Sequence, residues 1–165
     1  RMDALSAMGG YREDLIAGEE PELCLRLRQA GWQIWRLDEE MTAHDAQITK
    51  LGQWWNRSKR AGHAFAEGAR LHGAAPERHW VKETRRALLW GAVGPVAIAV
   101  LTAAVGPLGL LAALAYPAQV LRLSRRDGLV PAFFSVLGKF AEAQGALGYY
   151  WRRLTGGQKR LIEYK

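Results

Sequence analysis

The feature that most constrains this chain is an uncharged stretch of about 35 residues, from Ala87 to Leu121. One membrane span needs about 20 apolar residues, so this stretch is longer than a single span. Gly106-Pro107 lies near its middle and predicts a tight turn between two short helices. A water-soluble helical pair is the alternative, but it would need partners that cover nearly every face.

Basic residues flank both ends of the uncharged stretch: Lys82, Arg85 and Arg86 before it, and Arg122, Arg125 and Arg126 after it. Because basic flanks tend to remain cytoplasmic, both ends are expected on the same side of a membrane. Residues 82–126 are therefore predicted to form a transmembrane or re-entrant hairpin. The net charge of +7 could indicate nucleic acid, but these arginines form no single polar face, so we expect a membrane partner and no nucleic acid.

Two further helices are predicted around the hairpin. Residues 51–81 mix tryptophans with arginines and lysines and predict an aromatic, basic connecting helix. Residues 127–165 predict an amphipathic helix in the membrane interface followed by a tail. Its apolar face is formed by Phe133, Leu137, Phe140, Leu147, Trp151 and Leu154. Arg152 and Arg153 are expected at the depth of the lipid headgroups, together with Trp151.

The amino-terminal part predicts a loop, a helix and a strand, the order expected of an α/β layer. The helix is predicted from Pro21 to Ala30, with Gly31 closing it. Its spacing buries Leu23 and Leu27 and leaves Glu22, Arg26 and Arg28 able to face water. Residues 32–37 alternate apolar and polar side chains, which predicts a half-buried strand.

Three carboxylates, Glu19, Glu20 and Glu22, lie at the start of this predicted helix. Acidic residues are favoured there by the backbone dipole, by about 0.3 to 1 kcal/mol each, which is a purely structural explanation. A carboxylate crowded by two others can also have its proton affinity raised, which suits a general base. The residues alone leave both explanations open.

The run GGYREDLIAGEEPELCLRLRQAGWQIWRLDEEMTAHD resembles the carboxy-terminal third of the catalytic domain of family 2 glycosyltransferases. That family has a Gly-Gly-aromatic turn, an acidic pair opening a helix, a glycine, a strand and then a histidine. The matching positions are Gly9, Gly10, Tyr11, Glu19, Glu20, Glu22, Leu23, Arg26, Leu27, Gly31 and His44. The resemblance implies that residues 1–50 are an α/β fragment, the carboxy-terminal part of a GT-A domain.

The resemblance implies an inverting transfer, in which a base deprotonates an acceptor hydroxyl that then attacks the anomeric carbon of a nucleotide sugar. Glu20 matches the base, and Glu19 would hold the acceptor or orient its neighbour. Glu22, Gly9 and Gly10 would contact the substrate. The family usually has Asp at the position of Glu20, so the longer side chain would hold its carboxylate further from the acceptor.

Two more elements follow the resemblance. His44 stands where the family often has a histidine near the diphosphate or its Mg²⁺ or Mn²⁺ ion, most of whose ligands would lie outside this chain; a loop hydrogen bond is the alternative role. Gln53-Trp54-Trp55-Asn56-Arg57 resembles the Gln-x-x-Arg-Trp element of processive synthases, with the order of Trp and Arg reversed. Trp55, Arg57 and Arg60 could therefore contact a lipid diphosphate or the leaving group, or simply lie at headgroup level.

The expected function is transfer of sugar from a nucleotide-sugar donor to a polysaccharide or lipid-linked acceptor, at the cytoplasmic face of a bacterial inner membrane. The Asp-x-Asp metal motif of the family is expected before Arg1, so the chain alone should be inactive. No secretory leader is recognisable at Arg1. The alternative function is a non-catalytic anchor or assembly subunit of a polysaccharide synthesis complex.

Overall fold

The computed structural model describes residues 1–35, 38 and 47–157, and every regular element in those ranges is helical. The α-helices are α1 (Met2–Ala7), α2 (Glu19–Gln29), α3 (Leu51–His72), α4 (Val81–Leu88), α5 (Gly94–Val105), α6 (Ala115–Asp127) and α7 (Leu129–Thr155). A π-helical turn, Leu89–Val93, joins α4 to α5, and a 3-10 segment, Gly106–Leu114, joins α5 to α6.

The predicted α/β fold is wrong for the described part of the chain, which contains no strand. Residues 32–35 of the predicted strand are irregular, and residues 36–37 lie outside the described ranges. Ile34 is 45% exposed and Trp35 is 78% exposed, so the expected half-buried face is absent there. An alternating pattern forms a strand only when a neighbouring strand accepts its backbone hydrogen bonds, and the described residues supply none.

The helix predicted from Pro21 to Ala30 is confirmed as α2, which begins two residues earlier at Glu19. Gly18 and Gly31 bracket it in left-handed conformations, with φ of 88° and 85°. Leu23 is buried as predicted, whereas Leu27 is only half-buried. The expectation that Glu22 faces water is wrong, because this side chain is buried.

The packing centre is a close crossing of α3 and α7, which run parallel. Gly62 on α3 lies against the backbone of Glu142, and Gly145 on α7 lies against the backbone of Lys59. A Cβ atom at either glycine would overlap a carbonyl oxygen of the other helix. Small residues permit such close approach of two helices, and a buried cluster of Ala66, Ala146 and Tyr149 continues the contact.

The uncharged stretch forms a hairpin that leaves the helical body and returns to it. α5 leads away, the chain reverses at Gly106 (φ 71°), and the 3-10 segment packs back with Gly109 against Leu101 and Thr102. The return ends where the Tyr116 hydroxyl donates a 2.6 Å hydrogen bond to the carbonyl oxygen of Trp90. The return leg is thus a 3-10 helical segment that continues into α6.

The helical run Val81–Asp127 is long and apolar enough to cross a membrane, and the most apolar part of it, with mean hydropathy 2.2, is only 6% buried. Twelve residues of α5 and nine of the 3-10 segment each give a leg of roughly 18 Å. A bilayer core is about 30 Å thick. These two legs alone therefore reach part of the way across such a core.

Helix α7 is amphipathic along its whole length. The face made of small residues, including Ala132, Ala143 and Ala146, is buried in the body. The predicted apolar face stays mostly uncovered: Phe133, Leu147, Trp151 and Leu154 are exposed by about half or more. Leu137 and Phe140 are half-buried, because they line an apolar groove of about 490 Å³ between α6 and α7.

Candidate functional site

The Gly9-Gly10 turn is tied to α2 by the side chain of Arg26. Both glycines have positive φ, 69° and 74°, and open space where a side chain would stand. The Arg26 guanidinium donates hydrogen bonds to the carbonyl oxygens of Met8 at 2.5 Å and Gly10 at 2.8 Å. Arg26 was expected to face water, and its role is instead to hold this turn beside the acidic helix.

Glu22 lies at the centre of a buried polar network. Its carboxylate accepts hydrogen bonds from Arg26 Nε at 2.9 and 3.0 Å, and one oxygen lies 3.0 Å from His72 Nε2 at the end of α3. The whole residue is 1% exposed. A contact between Glu22 and a substrate, which stays a prediction, would require these internal bonds to be given up.

The acidic pair itself lies where α2 begins, beside the middle of α3. Gly18, just before the pair, packs against the Trp80 ring and 3.5 Å from the Cβ of Ala64, measured from an idealised Cβ position. Glu19 is half-buried and Glu20 is exposed. The Glu20 carboxylate is therefore open to a ligand from solution, and the base and acceptor roles of these two residues stay predictions.

The two tryptophans near the start of α3 contact α7. The Trp54 ring meets Phe134 edge to face at 5.0 Å, and the Trp55 indole N–H donates a 3.0 Å hydrogen bond to Gln144 Oε1. Arg57 is exposed and Arg60 is half-buried. Trp55 precedes Ala64 by nine residues, roughly 13 Å along the helix axis, so it lies at a different level from the acidic pair.

A polar cavity of about 380 Å³ lies between α3 and the carboxy-terminal end of α7. Arg70, Tyr149, Arg152 and Arg153 line it, together with His63, Glu67 and Asp14. None of the predicted site residues within the described ranges lines this cavity. The sequence had predicted Arg70 on a basic helix and Arg152 and Arg153 at headgroup depth. The cavity itself could not be predicted, because its two helices are about eighty residues apart and no local pattern joins them.

Burial displaces the pKa of a histidine and of a carboxylate near helices α3 and α7. Burial lowers the pKa of His79, which stacks on the Trp80 ring at 4.3 Å, and the charge of His72 lowers it further. Burial raises the pKa of Glu142 on α7, against the opposing effect of a 2.6 Å hydrogen bond from Lys139. Both shifts follow from the loss of water around a charge at the helix contacts.

The predicted metal ligand, His44, lies outside the described residues. Within residues 1–35, 38 and 47–157, no group of three or more His, Cys, Asp or Glu side chains is placed to hold a metal ion. The metal ion and the role of His44 as one of its ligands stay predictions.

The chain is similar to the succinoglycan biosynthesis protein ExoA of Rhizobium meliloti, with 28% identity over 169 residues. The alignment covers 98% of this chain and 48% of that protein, so the chain spans about half the length of this relative. No family model matches the chain, and no solved structure matches it.

Proposed function

We propose that this chain is part of an enzyme of exopolysaccharide synthesis that transfers sugar from a nucleotide-sugar donor to a polysaccharide or lipid-linked acceptor. The observation that carries the proposal is the similarity to a succinoglycan biosynthesis protein along nearly the whole chain, through the acidic helix and the apolar hairpin alike. The hairpin supports a place at a membrane, for which we propose the cytoplasmic face of the bacterial inner membrane.

The proposed chemistry is a single displacement with inversion at the sugar. The Glu20 carboxylate takes the proton of an acceptor hydroxyl while the hydroxyl oxygen forms a bond to the anomeric carbon. The bond from that carbon to the diphosphate breaks on the opposite side, and the nucleoside diphosphate leaves with the electron pair. Glu19, half-buried beside Glu20, would orient the acceptor.

Two features support this use of the acidic pair, which lies where α2 begins. The Arg26 bonds to the Gly9-Gly10 turn and the buried Glu22 network hold the start of α2 in place. Glu20 remains exposed, so an acceptor can approach it. The backbone that carries the pair is thus held in place, while the Glu20 carboxylate is open to solvent.

The test is Glu20→Gln in the complete protein, because the amide keeps the shape of the side chain but cannot accept the proton. We expect sugar transfer to fall by about 10² to 10⁴, with donor binding nearly unchanged. Glu13→Gln is the matched control: Glu13 is also exposed and lies seven residues earlier, outside the pair. Activity of the Glu20 variant within a few-fold of the parent would remove Glu20 from this role.

The second candidate function is a non-catalytic anchor or assembly subunit. The close packing of α3 with α7 and the protruding hairpin favour it, because together they form a stable membrane attachment without the acidic pair. Replacing both Glu19 and Glu20 by Gln discriminates the two functions. Loss of transfer with intact membrane localisation supports the enzyme, and unchanged polysaccharide synthesis supports the anchor.

A further inference from the structure

We infer that the polar cavity between α3 and α7 is a binding site for a phosphate or diphosphate group. The inference rests on the cavity alone and does not depend on the function of the acidic pair. Arg70 reaches the cavity from α3, and Arg152 and Arg153 reach it from the last turns of α7. Three arginine residues therefore line one space of about 380 Å³.

Arg152 supplies the strongest single indication of an anionic ligand. Its Nη2 atom is buried and has no hydrogen-bond acceptor in the part of the chain that the structure describes. A buried N–H of a charged group is destabilising when no acceptor compensates for the lost water. Arg152 also lines the cavity, so a rotation of its side chain would bring this nitrogen to an anion bound there.

The other arginines are arranged to share that ligand. Arg70 Nε donates to the Tyr149 hydroxyl, which fixes the guanidinium and leaves its terminal nitrogens available. Among the described residues, no ion pair joins Arg70, Arg152 or Arg153 to a carboxylate. Their charge is thus not cancelled by direct contacts in the described structure.

Two carboxylates also line the cavity, and both have internal partners. Asp14 accepts two hydrogen bonds from Arg12, at 2.8 and 2.9 Å, and this contact raises the pKa of the Arg12 guanidinium. The Glu67 carboxylate lies 3.7 Å from Nδ1 of the buried His63. The cavity is lined by three arginines and two carboxylates, and one of these carboxylates, Asp14, is bound to Arg12. The lining therefore carries an excess of positive charge.

The chemistry of the lining selects the kind of anion. A planar guanidinium fork matches two oxygens of a phosphate, and several such forks match a diphosphate better than a single carboxylate. The cavity volume is also within the usual range for small-ligand sites, about 300 to 1,000 Å³. The phosphate could belong to a soluble molecule or to a lipid headgroup, because exposed Trp151 and Leu154 lie on the same turns of α7.

The test is calorimetric titration of the purified full chain in detergent, with two probes. One probe is inorganic pyrophosphate, and the other is short-chain phosphatidic acid below its micelle concentration, with short-chain phosphatidylcholine as its blank. We expect saturable binding of at least one probe. Binding of pyrophosphate identifies a site for soluble phosphates, and binding of phosphatidic acid alone identifies a headgroup site.

The variants Arg152→Gln and Arg70→Lys assign the binding to the cavity. Arg152→Gln should weaken binding at least tenfold, and Arg70→Lys should weaken it too, because lysine keeps the charge but loses the fork and the bond to Tyr149. Arg28→Gln is the matched control, since it removes one exposed arginine on α2. Absence of binding by both probes, or equal affinities for the parent and both cavity variants, would overturn the inference.

Discussion

The contact between α3 and α7 can be tested with one methyl group, by the substitution Gly145→Ala. An ideal Cβ atom at Gly145 would overlap the carbonyl oxygen of Lys59 and lie 2.8 Å from the backbone nitrogen of His63. Non-bonded contacts are most favourable at about 3.5 to 4.0 Å and the Lys59 oxygen would lie only 1.9 Å away, so the two helices would have to separate by roughly 1.6 Å. Both clashing atoms belong to backbone, which cannot move aside as a flexible side chain can.

The expected cost follows from this separation. Overpacking of this kind destabilises by about 1 to 3 kcal/mol, whereas replacing glycine by alanine inside a helix stabilises by about 0.5 to 1 kcal/mol. Gly148→Ala is the matched control, because Gly148 lies on the same helix and its Cβ would meet only Arg152 Nη1, at an ordinary 3.7 Å. The helix preference cancels between the variants, which leaves a difference of about 1 to 3 kcal/mol.

Thermal unfolding of the purified chain in detergent, followed by circular dichroism, measures this difference. For a protein of this size, 1 kcal/mol corresponds to about 2 to 4 °C, so Gly145→Ala should unfold about 2 to 12 °C below Gly148→Ala. If the two variants unfold at the same temperature, the helices do not cross as closely as the structure shows.

Three further predictions concern a buried carboxylate, a histidine and the hairpin. Glu22→Ala leaves Arg26 and His72 without their carboxylate partner and should lower the free energy of unfolding by about 3 to 5 kcal/mol, measured by denaturant titration; a loss below 1 kcal/mol would contradict the network. Folding lowers the pKa of His79, so the folded state disfavours the protonated imidazole. The stability contributed by the neutral imidazole is therefore complete above about pH 6.5 and is lost as the pH falls through the folded-state pKa. His79→Phe should therefore reduce the acid-side slope of stability against pH, and an unchanged slope would refute this. In a cysteine-free background, cysteines at Glu83 and Asp127 should be equally shielded from an impermeant external reagent while one at Gly106 lies deep or on the far side; labelling at Asp127 alone would show a single crossing.

The sequence by itself predicted the elements that depend on short-range interactions. Gly18, the acidic first turn and Gly31 act within a few residues of α2, so the helix could be located to within two residues. The chain reversal at Gly106 was also predictable, because a glycine next to a proline interrupts an apolar run whatever surrounds it.

Only the tertiary structure decided the features that depend on distant partners. Residues 32–35 have the pattern of a strand but no neighbouring strand in the described chain, and no local pattern reveals that lack. Glu22 is buried because His72, fifty residues later, lies beside it, and the arginine cavity exists because Arg70 and Arg152 come from two helices that cross closely. The physical reason is that helix hydrogen bonds are made within four residues, whereas strand pairing, compensation of a buried charge and the walls of a cavity require groups brought together by folding.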